Sequence, residues 1–120
     1  MIFKANLLLL GSPTPQILTN VTVSITLMIV SFADKETEEF WQTGKSRKLP
    51  ADARKRAYAR LQALNASKEL KDLLVPPGNQ LEKLKGDRKN QYSIRVNRQW
   101  RICFIWKDGE AHDVAFIDYH

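Results

Sequence analysis

The stretch YSIRVNRQWRICFIW, residues 92–106, decides the fold. Its first half alternates apolar with polar side chains, a period of two that predicts a half-buried β-strand. Its second half, residues 101–106, is apolar at nearly every position, which predicts a strand covered on both faces. The intervening residues 97–99 predict a tight turn, so the whole stretch is expected to form a hairpin. Three arginines lie inside or beside this hairpin: Arg95, Arg98 and Arg101.

The composition is that of one basic globular domain. The chain has 120 residues, of which 43% are hydrophobic and 27% are charged, and these ordinary values argue against wholesale disorder. The formal net charge is +6. Clustered Lys and Arg favour binding to a polyanion such as nucleic acid, whereas an excess that only keeps a protein soluble has the same sign. Composition alone leaves both interpretations open.

The chain has one cysteine, Cys103, in the middle of the apolar strand. It has no partner for an internal disulfide, and we interpret it as a small core residue in a reducing cytoplasm. His112 and His120 are the only histidines, too few to complete a zinc motif with one cysteine. No metal site is expected.

Residues 1–27 differ from the rest of the chain. They contain one charged residue, Lys4, whereas the other 93 contain 18 Lys plus Arg and all 13 acidic residues. Their apolar runs are too short or too broken for a signal peptide or a membrane span. We expect residues 1–27 to be an N-terminal extension outside the core, arising from an upstream start codon, and residues 28–120 to be the domain. No membrane partner is expected.

Two helices are predicted in the first half of the domain, after a short apolar strand at residues 29–32. Asp34 is suited to cap the first helix, and Gly44 to end it. Pro50 opens the second helix, and Asn65 is expected to stop it. The apolar side of this second helix is given by residues at helical spacing: Ala53, Ala57, Leu61 and Leu64. Its basic residues Arg54, Lys55, Arg56 and Arg60 are either a solvated surface or a partner- or RNA-binding surface.

The second half predicts short elements followed by strands. Residues 67–74 suggest further helical turns with Leu70, Leu73 and Leu74 facing inward, and residues 76–79 break the chain. Residues 81–84 read as a short strand. Asp108-Gly109 is a favoured type I′ turn, which pairs the apolar strand with a last strand at residues 111–119. The predicted fold is α+β, with two N-terminal helices packed on a mainly antiparallel sheet of four to five strands.

From Met28 onward the chain resembles the RelE/ParE toxin superfamily, and within it the HigB group, including the GraT type. Four segments in the expected order carry the resemblance: LQALNASKELKDL at 61–73, PPGNQLEKLKGDR at 76–88, SIRVNRQWRICFIW at 93–106 and IDYH at 117–120. The resemblance covers about 93 residues. It implies the RelE/ParE-like fold for residues 28–120.

The resemblance also implies a function. Such toxins belong to type II toxin–antitoxin systems and are ribosome-dependent mRNA endonucleases that inhibit translation in the cytoplasm. The 2′-hydroxyl of the mRNA attacks the adjacent phosphate, so neither a metal nor a cofactor is expected. The implied partners are a HigA-like helix-turn-helix antitoxin, the ribosome with its mRNA, and operator DNA bound only through the antitoxin.

Carried over residue by residue, the resemblance places the catalytic group at the C-terminus. Asp118, Tyr119 and His120 match it. The His120 imidazole suits general acid–base work because histidine titrates near neutral pH. Tyr119 is suited to stack on a base or to bind the phosphate. Some HigB toxins have a second histidine where this chain has Glu82, and a carboxylate can act as a base but cannot neutralise a phosphorane.

The cationic role is therefore expected to fall to arginines. Arg95 and Arg101 are the preferred phosphate contacts, because a guanidinium is permanently charged and matches phosphate oxygens two at a time. Further candidates are Arg98, Arg88 and Lys85. Structural explanations stay open beside these roles. Arg101 would pair with Asp118 across strands, Tyr119 would end a packed strand, and the aromatic residues Trp100, Phe104 and Trp106 are expected in the core.

Two other functions are consistent with the same sequence. One is a ParE-like inhibitor of DNA gyrase, which shares the fold and cuts no RNA. The other is a non-catalytic RNA- or ribosome-binding module. Glu82 and the unusual residues 1–27 favour this alternative. A fold alone does not choose among them, because function resides in the site.

Overall fold

The computed structural model describes residues 28–119. The expected N-terminal extension at residues 1–27, and the C-terminal His120, lie outside the described residues. The elements are α1 (Lys35–Thr43), α2 (Ala51–Ala66), β1 (Glu82–Lys83), β2 (Gln91–Arg95), β3 (Trp100–Lys107) and β4 (Glu110–Asp118). The strands form one antiparallel sheet in the order β1-β2-β3-β4. The predicted α+β fold, two helices on a mainly antiparallel sheet, is confirmed.

Both helices begin and end close to the predicted residues. Asp34 caps α1, its Oδ1 accepting a hydrogen bond from the Thr37 backbone N–H at 2.7 Å. Gly44 ends α1 with a φ of 79°, a left-handed conformation that glycine adopts without steric cost. The prediction that Asn65 stops α2 is wrong, because α2 continues to Ala66. The Asn65 side chain instead accepts a hydrogen bond from the Ile29 N–H at 3.2 Å.

Both predicted hairpins are present. In the first, the Asn97 side-chain oxygen accepts the backbone N–H groups of Gln99 and Trp100 at 2.9 and 2.8 Å, which fixes the turn between β2 and β3. In the second, Asp108 and Gly109 have φ values of 54° and 77°, the positive pair that a type I′ turn requires.

The predicted strand at 29–32 is reduced to two isolated bridges. Ile29 and Phe32 bridge to β4 in parallel orientation, so this segment lies along the β4 edge of the sheet. Opposite it, β4 has a bulge at Asp113, whose φ is 52° and whose N–H donates to the Ser31 hydroxyl at 2.9 Å. The bulge was not foreseen from the alternation of residues.

The sheet has two unlike faces. The face toward the helices, called the helix face below, is apolar, and Phe116 packs edge-to-face on Phe40 of α1 with ring centroids 5.4 Å apart. Its buried members are Ile94, Val96, Trp100, Ile102, Phe104 and Phe116. The opposite face, called the open face below, carries the cross-strand partners Glu82, Ser93, Arg95, Arg101, Cys103 and Ile117.

The segment between α2 and the hairpin differs from its prediction in two details. Leu73 is buried as expected, but Leu74 is 57% exposed and does not face inward. The cause is local geometry: residues 70–74 form a tight 3-10 turn, whose three-residue period separates neighbours that an α-helix would bring to one side. The strand expected at 81–84 is only Glu82–Lys83. Within residues 28–119, no helix is long and apolar enough to cross a membrane.

Candidate functional site

Arg101 lies at the centre of the open face and is almost completely buried, with 6% of its surface exposed. Its Nε donates to the Ser93 hydroxyl at 2.7 Å. Its Nη2 donates to the backbone oxygen of Gln80 and, at 3.3 Å, to that of Ser93. Burying a guanidinium is costly unless its donors are satisfied, and these acceptors compensate for the lost water. The structure therefore holds a fixed positive charge under this surface.

Two predicted catalytic residues lie on either side of this guanidinium. The Glu82 carboxylate, at the β1 edge, is 3.8 Å from Arg101 Nη2, and its side chain is 54% exposed. The Tyr119 ring covers the guanidinium carbon at 5.7 Å from the ring centroid, within cation–π range. Tyr119 is 47% exposed and follows the last residue of β4, so it is not the end of a packed strand. Positions 82 and 119, 37 residues apart, meet across one buried cation.

Asp118 joins this group through the hairpin turn. Gln99 Nε2 donates to Asp118 Oδ2 at 3.0 Å, and the Gln99 backbone oxygen accepts the Tyr119 N–H at 2.6 Å. Asp118 lies opposite Trp100 in the register, one position from the Arg101 pairing. In the register Arg101 lies opposite Ile117, and its guanidinium contacts Ser93, Glu82 and Tyr119. His120 lies outside the described residues, directly after Tyr119.

The other predicted cations differ in their distance from this centre. Arg95 is the direct cross-strand partner of Arg101 and is half-buried. Arg98 is exposed in the turn beside Gln99. Lys85 is exposed and directly precedes the 3-10 turn Gly86–Arg88.

Arg88 acts on the same face from the other end. Its Nη1 donates to Gln91 Oε1 at 3.2 Å. Burial raises the pKa of the Cys103 thiol, and the positive charges of Arg88 and Arg101 partly oppose that rise. Cys103 is a buried core thiol, as its position in the apolar strand predicted.

Sequence reasoning missed the residues that hold the site together. Ser93 was interpreted as the polar, outward half of an alternating strand, yet it is fully buried under Arg101. Gln80 contributes only a backbone oxygen, from a residue with a φ of 42°, and no side-chain signal marks it. The sequence predicts Gln99 only as a turn residue, whereas its side chain and backbone bond Asp118 and Tyr119. The core assignment holds for Trp100 and Phe104, and Trp106 is half-buried against the core.

This arrangement suits chemistry at a phosphate. A fixed cation stabilises negative charge as it develops, a carboxylate beside it can accept a proton, and an exposed aromatic ring can stack on a base. The exposed outer sides of Glu82 and Tyr119 leave the substrate side of this group open to solvent.

Comparisons with known proteins identify the family. A family model described as a RelE-like toxin of type II toxin–antitoxin system HigB matches residues 30–120. The chain is 38% identical over 94 residues to Toxin HigB-1 of Vibrio cholerae, covering 78% of this chain and 98% of that protein. It is 35% identical over 96 residues to Endoribonuclease HigB of Proteus vulgaris, covering 78% of this chain and all of that protein.

Among solved structures, the YoeB-YefM complex from Staphylococcus aureus contains a chain with a TM-score of 0.51 and 20% identity. That match covers 77% of this chain and 97% of the other. At this identity the likeness concerns the fold, and it agrees with two helices on an antiparallel sheet. The predicted resemblance is confirmed by the family model and by the two curated relatives. The chain belongs to the HigB-like family, the RelE-like toxins of type II toxin–antitoxin systems.

Proposed function

We propose that this toxin is a ribosome-dependent mRNA endonuclease that inhibits translation in the cytoplasm. Its family and its 35% identity to a protein named Endoribonuclease HigB support RNA cleavage. The buried Arg101, placed between Glu82 and Tyr119, is the single observation that carries the site. The proposed partners are the ribosome with its mRNA and an antitoxin of the HigA-like helix-turn-helix kind, which would bring the pair to operator DNA.

The proposed reaction is an internal transfer within the RNA. A general base removes the proton of the 2′-hydroxyl, and the 2′-oxygen forms a bond to the adjacent phosphorus. The bond from phosphorus to the 5′-oxygen breaks, and a general acid supplies that oxygen with a proton. The products are a 2′,3′-cyclic phosphate and a free 5′-hydroxyl. Nucleophile and leaving group both belong to the RNA, so the scheme needs no metal.

Arg101 has the role of stabilising charge. Negative charge builds on the non-bridging oxygens as the 2′-oxygen attacks, and a preorganised cation is most effective when it need not reorganise. The hydrogen bonds to Ser93 and Gln80 fix Arg101 before substrate arrives. Arg95, directly opposite on β2, adds a second guanidinium on the same face. Together they replace the cationic character of the histidine that some HigB toxins have at position 82.

Proton transfer is assigned to Glu82, beside that cation, and to His120, the residue after Tyr119. We assign His120 as the general acid that protonates the leaving 5′-oxygen, and Glu82 as the base for the 2′-hydroxyl. Asp118, held by Gln99, orients the C-terminal residues, and the Tyr119 ring stacks on a base. Arg98, Arg88 and Lys85 lie farther out and bind neighbouring phosphates or steer the RNA.

The test is to map mRNA ends by primer extension in a translating extract that contains the full chain. The expected result is new 5′-hydroxyl ends that appear only on translated messages and persist with a chelator. The upstream fragments should end in a 2′,3′-cyclic phosphate. Intact messages in an extract in which the toxin itself stops translation would refute the endonuclease. Cleavage of supercoiled plasmid by gyrase in the presence of the toxin would favour a ParE-like inhibitor instead. Ribosome co-sedimentation without cleavage would favour a non-catalytic binding module.

A further inference from the structure

A basic groove beside the hairpin turn has no part in the chemistry described so far. It lies between α2 and the turn after β2, has a volume of about 640 Å³, and is lined by Asp52, Lys55, Arg56, Arg60 and Asn97 among others. Lys55 and Arg56 are exposed, and Arg60 is half-buried. The sequence is consistent with two interpretations of this helix surface, either as a solvated surface or as a binding surface.

The guanidinium groups of the groove reach the backbone at the end of β2, unlike those of a solvated helix face. Arg60 Nε donates to the Arg95 backbone oxygen at 2.9 Å, and Arg56 Nη1 donates to the Val96 backbone oxygen at 3.5 Å. A guanidinium has five N–H donors, so each retains donors for a ligand. Solvated arginines gain little from a fixed position, because they lose side-chain entropy to reach it.

The groove holds several positive charges close together although they repel one another. Burial lowers the pKa of the Arg60 guanidinium, and the neighbouring charges of Arg56 and Arg95 lower it further. Among the described residues, Asp52 is the one acidic residue in the lining. Like charges held this close favour a polyanion that neutralises them.

The groove adjoins β2 at Arg95, whose side chain belongs to the open face. Arg101 pairs with Arg95 across the strands, and the Arg95 backbone is bonded to Arg60 in the groove. The cations thus form a row from the buried Arg101 through Arg95 and Arg60 to Arg56. A strand of RNA that placed its scissile phosphate at Arg101 would bring its next phosphates to this row.

We propose that the groove of Lys55, Arg56 and Arg60 binds the phosphates of the substrate RNA strand beside the cleaved bond. This proposal rests on the proposed function, because it places the scissile phosphate at Arg101. It extends the substrate site from the open face around the hairpin turn onto α2. The contacts are to phosphates, so the groove adds affinity without reading sequence.

The test compares single-stranded RNA oligonucleotides whose cleavable position carries a 2′-deoxy sugar. A short one spans that position alone, and two longer ones extend it on either side. Their binding to the full chain is measured by fluorescence anisotropy at several salt concentrations. For the wild type, one of the two extensions is expected to raise the affinity.

The variant is K55Q/R56Q, which removes two exposed charges and leaves the Arg60 hydrogen bond in place. It should bind the short oligonucleotide as the wild type does and lose the gain from extension. Its salt slope on the long oligonucleotide should be smaller by about 1.4, since single strands lose roughly 0.7 per phosphate contact. The matched control is K71Q/K107Q, which removes two exposed lysines elsewhere and should behave as the wild type. Thermal melts confirm that both variants fold.

Four results would overturn the proposal. The first is that neither extension raises the affinity, and the second is that K55Q/R56Q gains as much from extension as the wild type. The third is weaker binding of K55Q/R56Q to vacant small ribosomal subunits, which indicates that the groove binds ribosomal RNA. The fourth is weaker binding of K55Q/R56Q to the antitoxin alone, which indicates that the groove binds an acidic protein surface. The proposed endonuclease is judged separately by the mRNA ends in translating extract. If mRNA is cleaved there and any of these four results is obtained, the proposed role of the groove is rejected and the proposed endonuclease activity stands.

Discussion

The two faces of the sheet are built from alternate residues of the same strands, yet they bury different chemistry. On the helix face, Phe116 and Ile102 lie in an apolar layer against the helices. One residue along β3, Arg101 is buried as well, but against Ser93 and backbone oxygens. The helix face depends on apolar area removed from water, and the open face depends on satisfied hydrogen bonds.

This difference separates stability from function. An apolar core loses free energy steadily as atoms are removed, whereas a buried guanidinium adds little net stability and is costly mainly when one partner is lost. Arg101 is therefore expected to serve the chemistry of the site more than the stability of the fold. Substitutions on the helix face should therefore change unfolding most, and substitutions on the open face should change cleavage most.

The largest loss of stability is expected from Phe116→Ala. Phe116 is 1% exposed and contacts Phe40, so its truncation should lower the free energy of unfolding by about 3–5 kcal/mol. The matched control is Ile117→Ala, one residue along on the open face and only half-buried, which should cost clearly less. Urea titration measures both. Equal losses would contradict the distinction between the two faces.

Arg101→Met should have the largest effect on cleavage. The change leaves the acceptors at Ser93 and Gln80 without their donor, at a cost of about 1–3 kcal/mol in unfolding free energy. Cleavage should fall about 10²- to 10³-fold, the usual cost of losing one preorganised donor at a developing oxyanion. Single-turnover cleavage on programmed ribosomes gives the rate.

Arg101→Lys is the companion variant. It keeps the charge but cannot donate in the directions of the guanidinium, so an intermediate rate is expected. A wild-type rate for Arg101→Met in folded protein would show that the buried cation has only a structural role.

Ser93→Ala should have a smaller effect of the same kind. It removes the hydroxyl that accepts the Arg101 Nε, which should cost roughly 1 kcal/mol in unfolding free energy. The released guanidinium should lower the cleavage rate about tenfold, since small misplacements of a catalytic group are expensive. Ser67→Ala is the control, because the Ser67 hydroxyl is also buried and hydrogen-bonded, to Ala63, far from the site. Ser67→Ala should lose similar stability and no activity; equal rates for the two variants would remove Ser93 as a positioning residue.

The helix face was predictable from the sequence, and the particular residues show why. Ala53, Ala57, Leu61 and Leu64 recur at helical spacing, and all are buried in α2 as that period predicts. Local signals also placed the caps and turns, such as Asp34 and the Asp108-Gly109 pair. These features depend on neighbours within a few residues, which a single sequence displays.

The open face was predictable only in part. Arginines in the hairpin indicated phosphate chemistry, and the resemblance to the HigB group supplied Glu82 and Tyr119. The burial of Ser93 and the role of the Gln80 backbone oxygen depend on contacts across the sheet, which leave no local pattern. The bulge at Asp113 depends in the same way on Ser31, 82 residues away.

The smallest change in stability is expected at Tyr119, which tests the solvent side of the open face. Tyr119 is 47% exposed, so replacement by Phe or Ala should change the free energy of unfolding by less than about 0.5 kcal/mol. Tyr119→Phe keeps the ring that covers Arg101 and should cleave within a few-fold of the wild type. Tyr119→Ala removes the ring, exposes the guanidinium to water and weakens its field at the phosphate, so cleavage should fall much further. If Tyr119→Phe instead loses as much activity as Tyr119→Ala, the hydroxyl acts in the chemistry and the ring is only its support.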